Sequence, residues 1–250
     1  MNVSNNTILI TGGASGIGYA LAEAFLVSGN KVIICGRRER KLQEAQSHHP
    51  ELFIKVCDVS IQEERQELVN WATTKFPELN VLVNNAGIQR DIDITKGADD
   101  IIRGEDELKI NLEAPIMLSA MFVPYMSGKK NAVIINVSSG LGFIPAARMP
   151  VYSATKAGLH AFSMSLRHQL QKVGIEVYEI VPPGLDTDLN AEGRKRRKTP
   201  FFGVGPKEFV VSVMNDLKNN VQEIGFGFTA DIKKISREEL DKRFQNMNRW

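Results

Sequence analysis

The chain has little of what would set it apart from ordinary globular proteins. It carries only two cysteines, Cys35 and Cys57, both inside apolar runs. That argues against a disulfide scaffold and suits a reducing cytosol, with the two thiols serving as small core residues. No apolar run approaches the roughly 18 residues that a transmembrane helix requires. The opening MNVSNN lacks a basic stretch followed by an apolar one, so the expectation is a cytoplasmic protein with no secretory signal. The formal net charge is only +2, which gives no general pull toward nucleic acid or membrane. Repeats, low-complexity tracts and linkers are also missing.

What is present fits a sizeable core. Hydrophobic residues make up 43% of the 250 and charged residues 24%, close to ordinary globular usage. Short β-rich runs alternate with helical stretches. TILIT (7–11), KVIIC (31–35), LFIKVC (52–57), LNVLVN (79–84), NAVIINV (131–137) and IEVYEIV (175–181) read as six strands. Between the first two, Ile17, Leu21, Ala24 and Phe25 recur at helical spacing and Gly29 stops the helix. A charged helix is expected around Arg38–Ser47, and another with Ile61, Leu68, Val69, Ala72 and Phe76 on one face. Nearly continuous apolar strands indicate a parallel sheet covered on both faces. Strict β–α alternation indicates a doubly wound α/β fold of Rossmann type, here one domain over residues 1–250. After residue 185 the character changes, and a loop or lid is expected over about 186–206.

TGGASGIG (11–18) lies between the first strand and the first helix. Glycines at 12, 16 and 18 let the backbone approach a ligand without a Cβ in the way. The helix start offers free N–H groups and a positive dipole end to a pyrophosphate. In dinucleotide folds an acid at the end of the second strand takes the ribose 2′-OH. Here Gly36 holds that place, and Arg37 and Arg38 come next. Guanidinium groups grip a 2′-phosphate that a carboxylate would repel, so NADP(H) is preferred over NAD(H). Arg38 reads equally well as the start of a solvated helix.

Tyr152 and Lys156 stand four apart in YSATK, on a helix expected to begin just after Pro150 and run toward Gly174. Four residues apart means the same face. Tyrosine has an ordinary pKa near 10, and a nearby ammonium favours its phenolate. A tyrosine tuned this way can exchange a proton with a substrate oxygen. Alone, the pair is also compatible with a surface Tyr–Lys contact.

The T-G-x-x-x-G-x-G turn, with Y-x-x-x-K downstream, resembles the compact branch of the short-chain dehydrogenase/reductase family. The resemblance implies cofactor contacts from Gly12, Ser15, Gly16, Ile17 and Gly18. It implies a contact from Asp58 to the adenine amino group, with Val59 beside it. Asn85, Ala86 and Gly87 of NNAG would line the cofactor, although Asn84 and Asn85 can also brace the sheet edge. Tyr152 and Lys156 would touch the cofactor as well as act in catalysis. Ser139, thirteen positions before Tyr152, matches the family's catalytic serine. A hydroxyl there would hold the substrate oxygen and stabilise its developing charge. Ser138 should point elsewhere. Asn111 in LKINLEAP matches the catalytic asparagine. Because Pro115 has no N–H, the carbonyl of Asn111 would be left free to hold a water relaying protons from Lys156 to solvent; a mere helix kink is the simpler role. Pro183, Gly184 and Thr187 match the segment that contacts the nicotinamide carboxamide.

The resemblance implies hydride exchange with a small carbonyl or alcohol substrate, no metal, and a homodimer or homotetramer. The four histidines (His48, His49, His160, His168) form no credible ligand set and read as structural or surface residues. On the 151–173 helix, Leu159, Phe162, Leu166 and Leu170 form one apolar stripe and Ala157, Ala161 and Met164 another, which leaves one stripe for a partner. The run Arg194–Lys198 is either a solvated loop or an attraction for an anionic group. Phe201 and Phe202 either line the pocket or pack under the lid. NNAGIQR together with RFQNMN resembles a bacterial subgroup, the DltE-like oxidoreductases. The rival readings are an NADP(H)-binding sensor with little turnover, an epimerase or enoyl reductase of other family branches, and, remotely, a nucleic-acid protein resting on residues 194–198.

Overall fold

In a computed structural model of the chain, residues 1–198 and 203–249 are described. Seven strands form one parallel sheet: β1 (Thr7–Thr11), β2 (Lys31–Gly36), β3 (Phe53–Val56), β4 (Val81–Asn84), β5 (Ala132–Val137), β6 (Ile175–Val181) and β7 (Glu223–Gly225). Their order is β3-β2-β1-β4-β5-β6-β7, the doubly wound arrangement in which the order reverses beside β1. Helices α1 (Gly16–Val27), α2 (Glu39–His48) and α3 (Gln62–Lys75) come after the first three strands. A short α4 (Asp99–Ile102), then α5 (Ala114–Met126) and α6 (Pro150–Leu170), come after β4 and β5. After β6 come α7 (Ala191–Arg197), α8 (Pro206–Lys218) and α9 (Arg237–Met247). No helix of the described residues is long and apolar enough to cross a membrane.

Side-chain alternation along the strands splits the core into two layers. Ile8, Ile10 and Ile34 pack with Phe25 of α1 and Phe209 of α8. Leu9, Ile33 and Leu82 pack on the other face with Leu68 of α3 and Phe122 of α5. Cys35 and Cys57 are free and buried in this second layer.

Three expectations need correction. The sheet has a seventh strand beyond the six expected: at three residues, EIG, it is too short to show a period. Ile61 lies outside α3 and is exposed, so the apolar face of that helix begins at Leu68. The segment after 185 is not all loop, since most of its basic run forms α7. Phe201 and Phe202 lie outside the described residues.

A polar row crosses the apolar sheet. Asn84 pairs with Asn136, Asn136 with Glu179, and Glu179 with Glu223, across β4 to β7. Each side chain finds its own partner. Asn84 donates to Asn136 Oδ1 and to Ser119 Oγ of α5. Asn136 donates to Ser163 of α6, Glu179 meets His160 of α6, and Glu223 accepts from Arg167 of α6. Buried polar groups are tolerated when paired in this way, and the pairing fixes α5 and α6 against the sheet ends.

Candidate active site

A cleft of about 1020 Å³ opens at the carboxyl ends of the strands, where this fold places its ligands. One wall is the β1–α1 turn. Gly12 and Gly16 have φ of +64° and +55°, a region that disfavours other residues. A Cβ on Gly18 would lie 2.4 Å from the carbonyl oxygen of Gly12, so only glycine lets this turn close. Asn85 Nδ2 braces the turn through the carbonyl oxygens of Thr11 and Gly12, at 2.9 and 3.2 Å. The expected bracing role of Asn84 and Asn85 is therefore present. Thr187 packs over Gly16 from the opposite side.

Gly12, Ser15, Gly16, Ile17, Arg37, Arg38, Asp58, Val59, Asn85, Ala86, Gly87, Pro183, Gly184 and Thr187 all line this one cleft; Gly18 stands just behind its wall. At the end of β2, Arg37 pairs with Glu105 and lies 3.7 Å from Asp58. Arg38 is the cap of α2 rather than its first turn, and its guanidinium donates to Ser15 Oγ at 2.9 Å. Asp58 Oδ1 accepts from the backbone and hydroxyl of Ser60, which turns the chain out of β3.

Ser139, Tyr152 and Lys156 meet at one corner of the cleft. Ser139 lies just past β5 and caps a short turn, Gly140–Gly142. A Cβ on Gly142 would come within 2.9 Å of the Lys156 backbone, so this turn lies directly against α6. Pro150 at the start of α6 has no N–H to lose there and sets the helix's first turn. Tyr152 and Lys156 share a face as expected, with Lys156 Nζ 5.7 Å from the Tyr152 ring centre. The neighbouring Ser138 also lines the cleft, but its hydroxyl donates to Glu179.

The electrostatics depart from the expected tuning. Burial pushes the Tyr152 phenol up to about 12; contact with Ser139 pulls it down and the charge of Glu107 pushes it further up. Burial also drives Lys156 down to about 8, opposed by Glu179. Lys156 does not lower the tyrosine here because its ammonium donates to the carbonyl oxygen of Val137 at 2.8 Å rather than to the phenol.

Asn111 is buried at the start of the α5 region. Its Oδ1 accepts from Ile88 N–H and its Nδ2 donates to Ile88 O, both at 2.9 Å. A third contact reaches Thr155 Oγ1 at 3.3 Å. The helix is not α at this point. Lys109–Glu113 is a π turn in which Ala114 N–H reaches Lys109 O. That bond takes the Ala114 N–H away from Ile110 O, its α-helical acceptor. A cavity of about 10 Å³, the size of one water, lies against this bulge and is lined by Asn84, Ile110 and Asn111.

Two acids in this corner escaped the sequence reading. Glu107 is buried, and Oε1 accepts from Arg90 N–H at 3.0 Å. Burial pushes its carboxyl up to about 7. Glu179 sits in an apolar strand, IEVYEIV, where a fully buried acid had no obvious partner in sequence. On the far side of the cleft, Arg194 donates to the carbonyl oxygens of Leu189 and Thr187, and Arg197 pairs with Asp91. Part of the basic run thus ties its own segment to neighbouring stretches of the chain.

Residues 6–198 match the family described as short chain dehydrogenase. The chain belongs to this family. Among its relatives is the uncharacterized oxidoreductase DltE of Bacillus subtilis (strain 168), 44% identical over 248 residues, which cover 99% of this chain and 98% of that protein. An uncharacterized oxidoreductase of Staphylococcus saprophyticus is 30% identical over 208 residues, 80% of this chain and 88% of that one. The DltE-like resemblance read from NNAGIQR and RFQNMN agrees with the first of these. Among solved structures, a short-chain dehydrogenase/reductase from Burkholderia phymatum in complex with NAD has a TM-score of 0.83 at 20% identity, covering 97% of this chain and 96% of that one. A serine dehydrogenase complexed with NADP+ has a TM-score of 0.78 at 25% identity, covering 88% and 94%. As a short-chain dehydrogenase, the protein is an NAD(P)-dependent oxidoreductase with a Rossmann-type fold.

Proposed function

We propose that the protein moves a hydride between NADP(H) and a small carbonyl or alcohol substrate, with Tyr152 as the proton donor and acceptor. The observation that carries this reading is the convergence of Ser139, Tyr152 and Lys156 on one corner of a cleft whose opposite wall is a glycine cradle. The cofactor, when bound, supplies the hydride. The chain supplies orientation and electrostatics. Ser139 orients and polarises the substrate oxygen. Tyr152 gives or takes its proton. Lys156 would hold the nicotinamide ribose and bring its charge to bear on the phenol. Asn111, held on both sides by Ile88, keeps the NNAGI segment in place rather than touching substrate.

Charge favours NADP(H) over NAD(H). Seven arginines and Lys156 line the cleft against four carboxylates, a surplus matched to a ligand carrying a pyrophosphate and a 2′-phosphate. Arg37 and Arg38 hold the place of the acid that would take a ribose 2′-OH. The Arg37–Glu105 pair is half exposed and worth little, so a phosphate displaces it readily. Fluorescence titration of NADPH and NADH against the wild type and Arg37→Ala tests the reading. Tighter NADPH binding that collapses in the variant is expected. Equal or tighter NADH binding overturns the cofactor preference, and binding of neither overturns the oxidoreductase reading.

A further inference from the structure

The last turn of α9, in RFQNMN (243–248), reaches the loop that leads into α6. Asn248 Oδ1 accepts from Ala147 N–H at 2.7 Å, and its Nδ2 donates to the carbonyl oxygen of Pro145 at 3.0 Å. The residue bracketed by this clasp is Ala146. It is buried with Met149 and Tyr152, and its N–H donates to Ser153 Oγ at 3.2 Å. Beside the clasp, Met247 lines the cleft. No residue of α9 is fully buried, so core packing does not explain its seat. A second apolar side chain comes from the turn after β7. Thr229 ties that turn to the end of β6 by donating to the carbonyl oxygen of Val181 at 2.7 Å. A Cβ on Gly140, the residue after Ser139, would lie 3.2 Å from the Phe228 ring. Phe228 and Met247 both line the cleft, and they are 49% and 36% exposed. Leu141, Met149 and Leu189 gather around Tyr152 at the same end. Pockets that are mostly apolar, with a few placed polar groups, take the carbon body of a small ligand.

We propose that Phe228 and Met247 form, with Leu141, Met149 and Leu189, a subsite for the hydrocarbon body of an uncharged carbonyl or alcohol substrate, and that Asn248 is the positioning residue that seats Met247 there. This rests on the oxidoreductase reading of the cleft. Ser139 and Tyr152 offer polar groups to the reacting oxygen. The side chains around them are apolar, so the rest of the substrate gains by leaving water. The competing occupant is an anionic substrate. Arg148 lines the cleft just before α6 and is exposed. Asp188 and Glu192 line it too and oppose a carboxylate there. Met149, not Arg148, is the side chain buried with Tyr152. The apolar occupant therefore fits this corner better.

The test is the chain-length dependence of kcat/KM on the intact protein, with NADPH and the linear aldehydes from propanal to octanal. Each added methylene is expected to raise kcat/KM by about threefold to fourfold until the subsite is full. Met247→Ala should lower the octanal-to-propanal ratio by about tenfold. Asn248→Ala should lower it too, because Met247 loses its seat. A merely structural role for Asn248 would reduce the amount of active protein, which scales every aldehyde alike and leaves the ratio unmoved. An unmoved ratio in Asn248→Ala therefore overturns its positioning role. A flat profile in the wild type, or a ratio unmoved in Met247→Ala, overturns the subsite. So does NADPH binding without turnover of any aldehyde. A carboxylate-ended aldehyde reduced better than its alkyl counterpart of matched length also overturns it and points to Arg148. Wild type that binds neither NADPH nor NADH fails the underlying reading, whereas normal binding with a flat profile fails this proposal alone.

Discussion

Lys156 Nζ donates to the carbonyl oxygen of Val137 at 2.8 Å, which ties α6 to the last residue of β5. The ammonium is buried, and its pKa falls from 10.5 to about 8. The unfolded chain therefore binds this proton more tightly than the folded one. The cost to stability is fully present below about pH 8 and fades as pH rises toward 10.5. Lys156→Met, of similar length and uncharged, should raise the melting temperature by a few degrees at pH 7 and by little at pH 10. The same variant should lose turnover, a trade of stability against function. Thermal melts at the two pH values check the sign; a variant less stable than wild type at pH 7 refutes it.

Tyr152 and Ser139 should separate chemistry from cofactor binding. Tyr152→Phe removes the hydroxyl that moves the proton and should slow turnover by about 10²–10⁴. Ser139→Ala removes one donor to the substrate oxygen and should cost about 10²–10³. Both should weaken NADPH binding far less than turnover, since neither change touches the glycine cradle or the two arginines. The assay tracks NADPH oxidation with whichever aldehyde or ketone the wild type reduces fastest in a panel. Turnover retained by Tyr152→Phe would remove the tyrosine from its assigned role.

Much of the site was legible because its parts are local. The glycine turn, the Tyr–Lys pair and the Ser139 offset are spacings along the chain, and the fold brings them to one cleft without rearrangement. Six strands were visible as apolar runs. The seventh, EIG, was not, because three residues carry no period. What sequence could not show are contacts made across the sheet. Glu179 acquires its partners only when β5, β6 and α6 are packed together, from positions 41 and 19 residues away. The pKa directions of Tyr152 and Lys156 were hidden for the same reason. Spacing shows that the two groups are neighbours, while burial, a property of the whole fold, decides which way each is shifted. The π turn at Lys109–Glu113 is likewise something composition does not announce.

Glu107 gives the fold a second pH dependence of its own. Burial raises its carboxyl from 4.5 to about 7. The folded state binds this proton more tightly than the unfolded state, so its contribution is fully present below about pH 4.5 and is lost as pH rises through 7. Glu107→Gln keeps an oxygen for the Arg90 N–H and removes the charge. It should leave the melting temperature unchanged near pH 5 and raise it at pH 8. A variant destabilised equally at both values would show that Glu107 acts through shape alone.

The outer face of α6 carries a prediction about assembly. Leu159, Leu166 and Leu170 are buried against the sheet, while Ala161 and Met164 of the second stripe stay exposed. On neighbouring α5, Met117 and Tyr125 are exposed too. Apolar side chains grouped on adjacent helices and left open in a single chain fit a surface that a second copy covers. We therefore expect a homodimer or homotetramer at micromolar concentration. Met164→Asp should break it, because a carboxylate at a two-fold interface meets its own symmetry mate and is desolvated as well. Sedimentation velocity on both proteins decides. Wild type as a multimer and variant as a monomer place the interface on this face. A wild type that sediments as a monomer leaves the face to solvent, and a variant that stays assembled moves the interface elsewhere on the chain.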